Sequence, residues 1–145
     1  MRSLLFGSLF VLASAGVSAA EETSTTYAFS GSFDDAAFSV ENVIISKGLV
    51  IDYVSHVGDM LNRTASDVGS NEKLFEAADI FVFCSAVLSR KVMEADPMNL
   101  AHCPYGIFVA EREGNVMVGY RNYPEGSMQE VQALLDEIVR EAIDE

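Results

Sequence analysis

The chain has 145 residues, of which 50% are hydrophobic, with 9 Lys and Arg against 22 Asp and Glu, a net charge of −13 and two cysteines. The length accommodates one domain with its own core, and the apolar content excludes a disordered chain. Nucleic acids and anionic membranes are excluded as partners, because binding their phosphates requires clustered Lys and Arg, which this acidic chain lacks.

The N-terminal segment has the pattern of a secretory signal peptide. Arg2 precedes an apolar run at residues 4–15, and small residues follow as far as Ala20. A membrane span needs about 20 apolar residues, and glycine and serine interrupt this shorter run. We therefore expect cleavage after Ala19 or Ala20. Residues 21–145 then form a single domain, without a membrane span, in the periplasm or outside the cell.

A short strand and a helix are predicted next. Residues 27–30 form the strand. Ser32 and Asp35 have the spacing of a capped helix start, and apolar residues recur behind them at helical intervals. Gly48 is a typical residue at which such a helix ends.

Residues 49–57 are rich in β-branched and aromatic side chains and predict the second strand. Strict alternation along this strand puts Asp52 and His56 on one face and Tyr53 on the other. The residues that follow, 58–69, are polar and predict a helix.

The second half of the chain predicts three further strands and three further helical segments. The apolar run at 80–84 is a strand buried on both faces, Ser85 caps a helix, and Asp96 caps a short turn. Two runs at 105–111 and 115–121 form a hairpin. A final helix follows Ser127. Helices mixed with antiparallel pairing predict an α+β domain, in which helices cover a single mixed or antiparallel sheet.

Several short motifs resemble the domain of unknown function 302 family. The likeness spans roughly residues 30–140 and includes KGLV (47–50), FCSA (83–86), VMEADP (92–97), CPY (103–105), FVAE (108–111) and VGYR (118–121). The resemblance implies a compact α+β domain with a TATA-box-binding-protein-like arrangement of sheet and helices, which often dimerises. It implies no activity. We therefore expect a homodimer.

The two cysteines, Cys84 and Cys103, predict one structural disulfide, because thiols are readily oxidised outside the cytoplasm. A redox-active pair is the alternative. Such pairs usually have a closer C-x-x-C spacing and a thiol of depressed pKa near a helix start, and only the helix after Cys84 fits that description.

A metal site is a further candidate. Met93, Met98, His102 and Cys103 lie within eleven positions, and sulfur together with imidazole suits copper(I). Methionines are more often core residues than ligands. Covalent haem is excluded because the sequence has no C-x-x-C-H motif. The most plausible ligands of a copper or haem site are His56, His102 and the two cysteines, but the absence of any cofactor is the simpler expectation.

His56 and Asp52 form a possible ligand site, because a carboxylate on the same strand face can orient the imidazole. No serine or cysteine is demonstrably within reach of this pair, so a catalytic triad is not indicated. The sequence favours a non-enzymatic domain that binds a small ligand or a periplasmic protein. The alternative is a metal- or haem-associated protein of redox or sulfur metabolism.

Overall fold

The computed structural model describes residues 22–144, and the predicted signal peptide lies outside them. The strands are β1 (Ser24–Phe29), β2 (Val50–Ser55), β3 (Ala77–Cys84), β4 (Tyr105–Arg112) and β5 (Asn115–Arg121), and the α-helices are α1 (Phe33–Ser46), α2 (Val57–Thr64), α3 (Ala86–Ala95) and α4 (Gln129–Asp144). The strand order is β1-β5-β4-β3-β2, and every neighbouring pair is antiparallel. The predicted α+β class is confirmed, and the sheet is antiparallel. Within the described residues, no helix has the length and apolarity needed to cross a bilayer.

Local signals placed α1 and α3 correctly. The Ser32 hydroxyl accepts a hydrogen bond from the Asp35 amide, and the Asp35 carboxylate accepts one from the Ser32 amide, which completes a capping box. Gly48 follows this helix with φ of 74°, a conformation that favours glycine. The Ser85 hydroxyl caps α3 by accepting from the Leu88 amide.

The segment predicted as one helix at residues 58–69 is broken in the structure. α2 ends at Thr64, a 3-10 turn follows at Ser66–Val68, and Gly69 adopts a left-handed conformation. A second 3-10 segment, Pro97–His102, connects α3 to β4.

β2 departs from the predicted alternation because it contains a bulge. Ile51 pairs with Phe83, but the next paired residue is Tyr53, opposite Val82, so Asp52 is the extra residue. The strand also ends at Ser55, and His56 is the residue that precedes α2. The prediction that Asp52 and His56 share one strand face is therefore wrong.

One face of the sheet, the core face, packs against α1 and α4. It contributes alternate residues of β3, β4 and β5, including Phe83, Ile107 and Val118, which are completely buried. The apolar stripe of α4 covers these side chains, with Leu135 and Ile138 also completely buried. The opposite face, the second face, carries the residues between them.

A polar network fixes α4 to the edge of the sheet. One Asp136 carboxylate oxygen accepts hydrogen bonds from the hydroxyls of Tyr27 (2.6 Å) and Tyr120 (2.7 Å), and the other accepts from Arg140 (2.7 Å). Burial acts to raise the pKa of Asp136. These hydrogen bonds and the adjacent guanidinium outweigh it, so the pKa lies below its ordinary value.

Candidate functional site

A groove of about 790 Å³ crosses the second face of the sheet. Its floor consists of residues from three adjacent strands. Tyr53 lies on β2, Ile80 and Val82 lie on β3, and Gly106 and Phe108 lie on β4. We call this depression the sheet groove.

Two glycines shape the floor of the sheet groove. Gly119 pairs with Phe108, and a Cβ at Gly119 would lie 2.6 Å from the Phe108 ring and 2.5 Å from the Thr25 carbonyl oxygen. The ring therefore lies across the β5 backbone. A Cβ at Gly106 would lie 3.2 Å from the Ile80 Cγ2 atom. Glycine at this position keeps the centre of the floor low.

The polar rim of the sheet groove lies where β5 ends and β1 begins. It includes Glu22, Thr23, Arg121 and Asn122. The Asn122 side chain accepts from the Thr25 hydroxyl (2.7 Å) and donates to the Glu22 carbonyl (2.9 Å), while its amide donates to the Thr23 carbonyl (2.9 Å). These hydrogen bonds fix the residues of the rim relative to the sheet.

Tyr123 completes this end of the sheet groove with only 7% of its surface exposed. Its ring makes edge contacts with His102 (5.8 Å between centroids) and Tyr105 (6.3 Å). Burial raises the pKa of Tyr123 to about 12, even though the Arg121 charge acts to lower it. The phenol therefore remains a hydrogen-bond donor at neutral pH.

The two cysteines lie together at the same end of the sheet. Cys84 is the last residue of β3 and Cys103 follows the 3-10 segment, and their Sγ atoms are 3.0 Å apart as two thiols. Burial, followed by the hydrogen bond with Cys103, raises the pKa of the Cys84 thiol to about 11. A raised pKa opposes the formation of a reactive thiolate.

His56 does not pair with Asp52. Its Nδ1 atom lies 2.8 Å from the carboxylate of Asp79 on β3, and 62% of its side chain is exposed. The bulge at Asp52 and the end of the strand at Ser55 explain why strict alternation along residues 49–57 predicts the wrong partner for His56. His56 lines a separate depression of about 730 Å³ beside α2, whose lining residues are mostly polar.

The other candidate metal ligands are dispersed. His102 contacts Tyr123 near the cysteines, whereas His56 is at the opposite end of β2 and β3. Met93 packs against the core, and Met98 is exposed. Within residues 22–144, no three His, Cys, Asp or Glu side chains are placed to hold a metal ion together. The metal- or haem-associated alternative stays a prediction.

Sequence reasoning missed the sheet groove. The sequence predicts Ile80 and Val82 in a strand buried on both faces and Phe108 in a hairpin strand, and it contains no register that would bring the three side chains together. The available signal was the pair of glycines, Gly106 and Gly119, in strands otherwise rich in bulky residues.

Comparisons with known proteins agree on the fold. The family model described as "Domain of unknown function DUF302" matches residues 24–145. The crystal structure of an uncharacterized conserved DUF302 protein from Bacillus stearothermophilus is similar, with a TM-score of 0.58 and 14% sequence identity, over 86% of this chain and 90% of that chain. None of the curated proteins matches the sequence.

Proposed function

This chain belongs to the DUF302 family, and we propose that it is an exported binding domain whose sheet groove holds a small molecule with an apolar body. The observation that carries the proposal is the groove itself. Small-molecule sites are typically concave, mostly apolar and roughly 300–1,000 Å³ in volume, with a few polar groups that orient the ligand. The sheet groove has an apolar floor, a polar rim and a volume of about 790 Å³.

A fluorescence titration with N-phenyl-1-naphthylamine tests this proposal. The dye is neutral, and its emission rises on entering an apolar site. Gly106→Val places two methyl groups in the middle of the floor and should weaken binding by at least tenfold. Ala28→Val adds a similar volume to the exposed second face of β1, outside the groove, and should leave binding unchanged. Thermal unfolding of both variants checks that they are folded. Absence of dye binding, or equal binding by all three proteins, would contradict the proposal.

Export and a structural disulfide belong to the same proposal. An exported protein meets an oxidising compartment, and the Sγ atoms of Cys84 and Cys103 already lie 3.0 Å apart. N-terminal sequencing of the protein from the periplasmic fraction or the medium should begin at residue 20 or 21. Retention of residues 1–19 would contradict export.

We also propose a homodimer in which the β1 edges of two copies pair. Both edge strands of the sheet expose backbone hydrogen-bonding groups, but they differ in protection. β2 has the bulge at Asp52. β1, with the sequence STTYAF, contains no charged residue, no proline and no irregularity in its pairing with β5. Pairing of two such edges would extend one antiparallel sheet across both copies and place the two grooves on the same side.

A further inference from the structure

We propose that the ligand of the sheet groove carries a single anionic head group, a carboxylate or sulfonate, which Arg121 and Tyr123 bind while the apolar body lies over the floor. This inference rests on the proposed binding function and specifies the ligand's chemical class. The observation behind it is the position of Arg121, a cation without an ion-pair partner in the described part of a strongly acidic protein.

Most of the basic side chains in residues 22–144 are engaged by carboxylates. Five of the eight form ion pairs, namely Lys47, Arg90, Lys91, Arg112 and Arg140. The other three are Arg63, Lys73 and Arg121, and of these Arg121 alone lines the sheet groove. An arginine without a carboxylate partner presents a planar set of donors that matches an oxyanion.

Tyr123 supplies a second group for the same head group. Among the described residues its hydroxyl makes no hydrogen bond to protein, and because no buried side-chain oxygen there lacks a partner, this oxygen is accessible to solvent although the ring is buried. An accessible hydroxyl that the protein itself does not use can donate a hydrogen bond to a ligand. Its neutral form donates a hydrogen bond, as an oxyanion requires.

The floor sets the size of the apolar body. Arg121 lies on β5 and Tyr53 on β2, which are three strand spacings apart. Adjacent strands are about 4.8 Å apart, so this distance is roughly 14 Å. A two-ring aromatic or medium-chain acid fits this length, with its head group beside Arg121 and its tail towards Tyr53.

Glu22 also lines the rim and limits the charge of the ligand. Its carboxylate opposes an anion at this end of the groove, so a single negative charge is favoured over a phosphate with two. Replacing this carboxylate by an amide should therefore strengthen the binding of an anion and leave the binding of a neutral body unchanged.

The test compares two dyes that share one apolar body. 1-Anilinonaphthalene-8-sulfonate differs from N-phenyl-1-naphthylamine only by its sulfonate. We expect Arg121→Gln to weaken sulfonate-dye binding about tenfold, Tyr123→Phe about threefold, and Glu22→Gln to strengthen it. Binding of the neutral dye should change less than twofold in all three variants.

Arg63→Gln is the matched control, because it removes an equally unpaired arginine outside the sheet groove. It should leave both dyes unaffected, and thermal unfolding of each variant confirms folding. If Arg121→Gln and Arg63→Gln weaken the sulfonate dye equally, the head-group assignment is wrong while the groove still binds apolar molecules. If neither dye binds the native protein, the binding function itself fails.

Discussion

Gly119→Ala should destabilise the protein because the new methyl group has no space. The added Cβ would lie 2.6 Å from the Phe108 Cζ atom and 2.5 Å from the Thr25 carbonyl oxygen. Favourable separations between carbon atoms are about 3.5–4.0 Å, so each neighbour must move by roughly 1 Å. The Phe108 ring can rotate, but the Thr25 oxygen belongs to the β1 backbone, which is paired with β5.

The expected loss is about 2–3 kcal/mol in the free energy of unfolding, at the upper end of overpacking costs. It corresponds to roughly 6–15 °C in melting temperature for a domain of this size. Urea unfolding followed by circular dichroism measures the free energy directly, and an unchanged m-value supports a two-state comparison.

Gly106→Ala is the matched control. It makes the same substitution on the same face of the adjacent strand, but its Cβ would have one tight contact, with the Ile80 Cγ2 atom at 3.2 Å, and an ordinary contact with the Phe81 carbonyl oxygen at 3.9 Å. The Ile80 methyl group belongs to a half-buried side chain and needs to move by only a few tenths of an ångström, so the loss should be below about 1 kcal/mol. Equal losses for the two variants would refute the steric argument.

A double-mutant cycle separates the two contacts of Gly119. Phe108→Leu removes the ring atoms that the new methyl group meets, so the loss caused by Gly119→Ala should become smaller in this background. Part of the loss should remain, because the Thr25 oxygen is still in the way. Strictly additive effects would show that the ring contact carries none of the cost.

Three further predictions concern the rest of the molecule. Ellman titration of the denatured exported protein should find no free thiol. Cys84→Ser should lower the free energy of unfolding of the oxidised protein by about 3 kcal/mol, as for a closed loop of this length. Two titratable thiols, or no change in stability, would contradict the disulfide. Because the pKa of Asp136 is depressed in the folded protein, its carboxylate stabilises the fold above the ordinary pKa of an aspartate, and this stabilisation is lost as the pH falls through the folded pKa. Asp136→Asn should therefore lower the free energy of unfolding by about 1–2 kcal/mol at pH 7 and by progressively less below about pH 4. A loss that does not depend on pH would argue against a role for the charge. Thr26→Lys should convert the dimer to a monomer in light scattering, because a lysine on an edge strand blocks its pairing with another strand. The control Val68→Lys, at another exposed position, should leave the dimer intact. A monomeric native protein, or a dimeric Thr26→Lys variant, would exclude the β1 interface.

The sequence predicts the elements whose signals are local. The caps at Ser32 and Ser85 and the apolar run at 80–84 each depend on neighbouring residues alone, and all three are found in the structure. The bulge at Asp52 is different, because an extra residue in one strand is defined only by the strand that it pairs with. His56 was assigned the wrong carboxylate for the same reason.

The candidate site was hidden from the sequence because it depends on register. Phe108 and Gly119 face each other only once β4 and β5 pair, and the groove forms only when that pair lies beside β3. The nearness of Cys84 and Cys103 was predicted from compartment and count. The spacing of the two cysteines does not predict that they are close. They are close because the end of β3 pairs with the start of β4.

The central claim is that the sheet groove is a ligand site. Amide NMR of the ¹⁵N-labelled protein, titrated with 1-anilinonaphthalene-8-sulfonate, tests this most directly because it locates the bound molecule. We predict saturable shift changes at Gly106, Phe108 and Arg121, and none at His56 or Asp59 in the depression beside α2. Shift changes confined to other surfaces, or none at all at saturating dye, would contradict the claim.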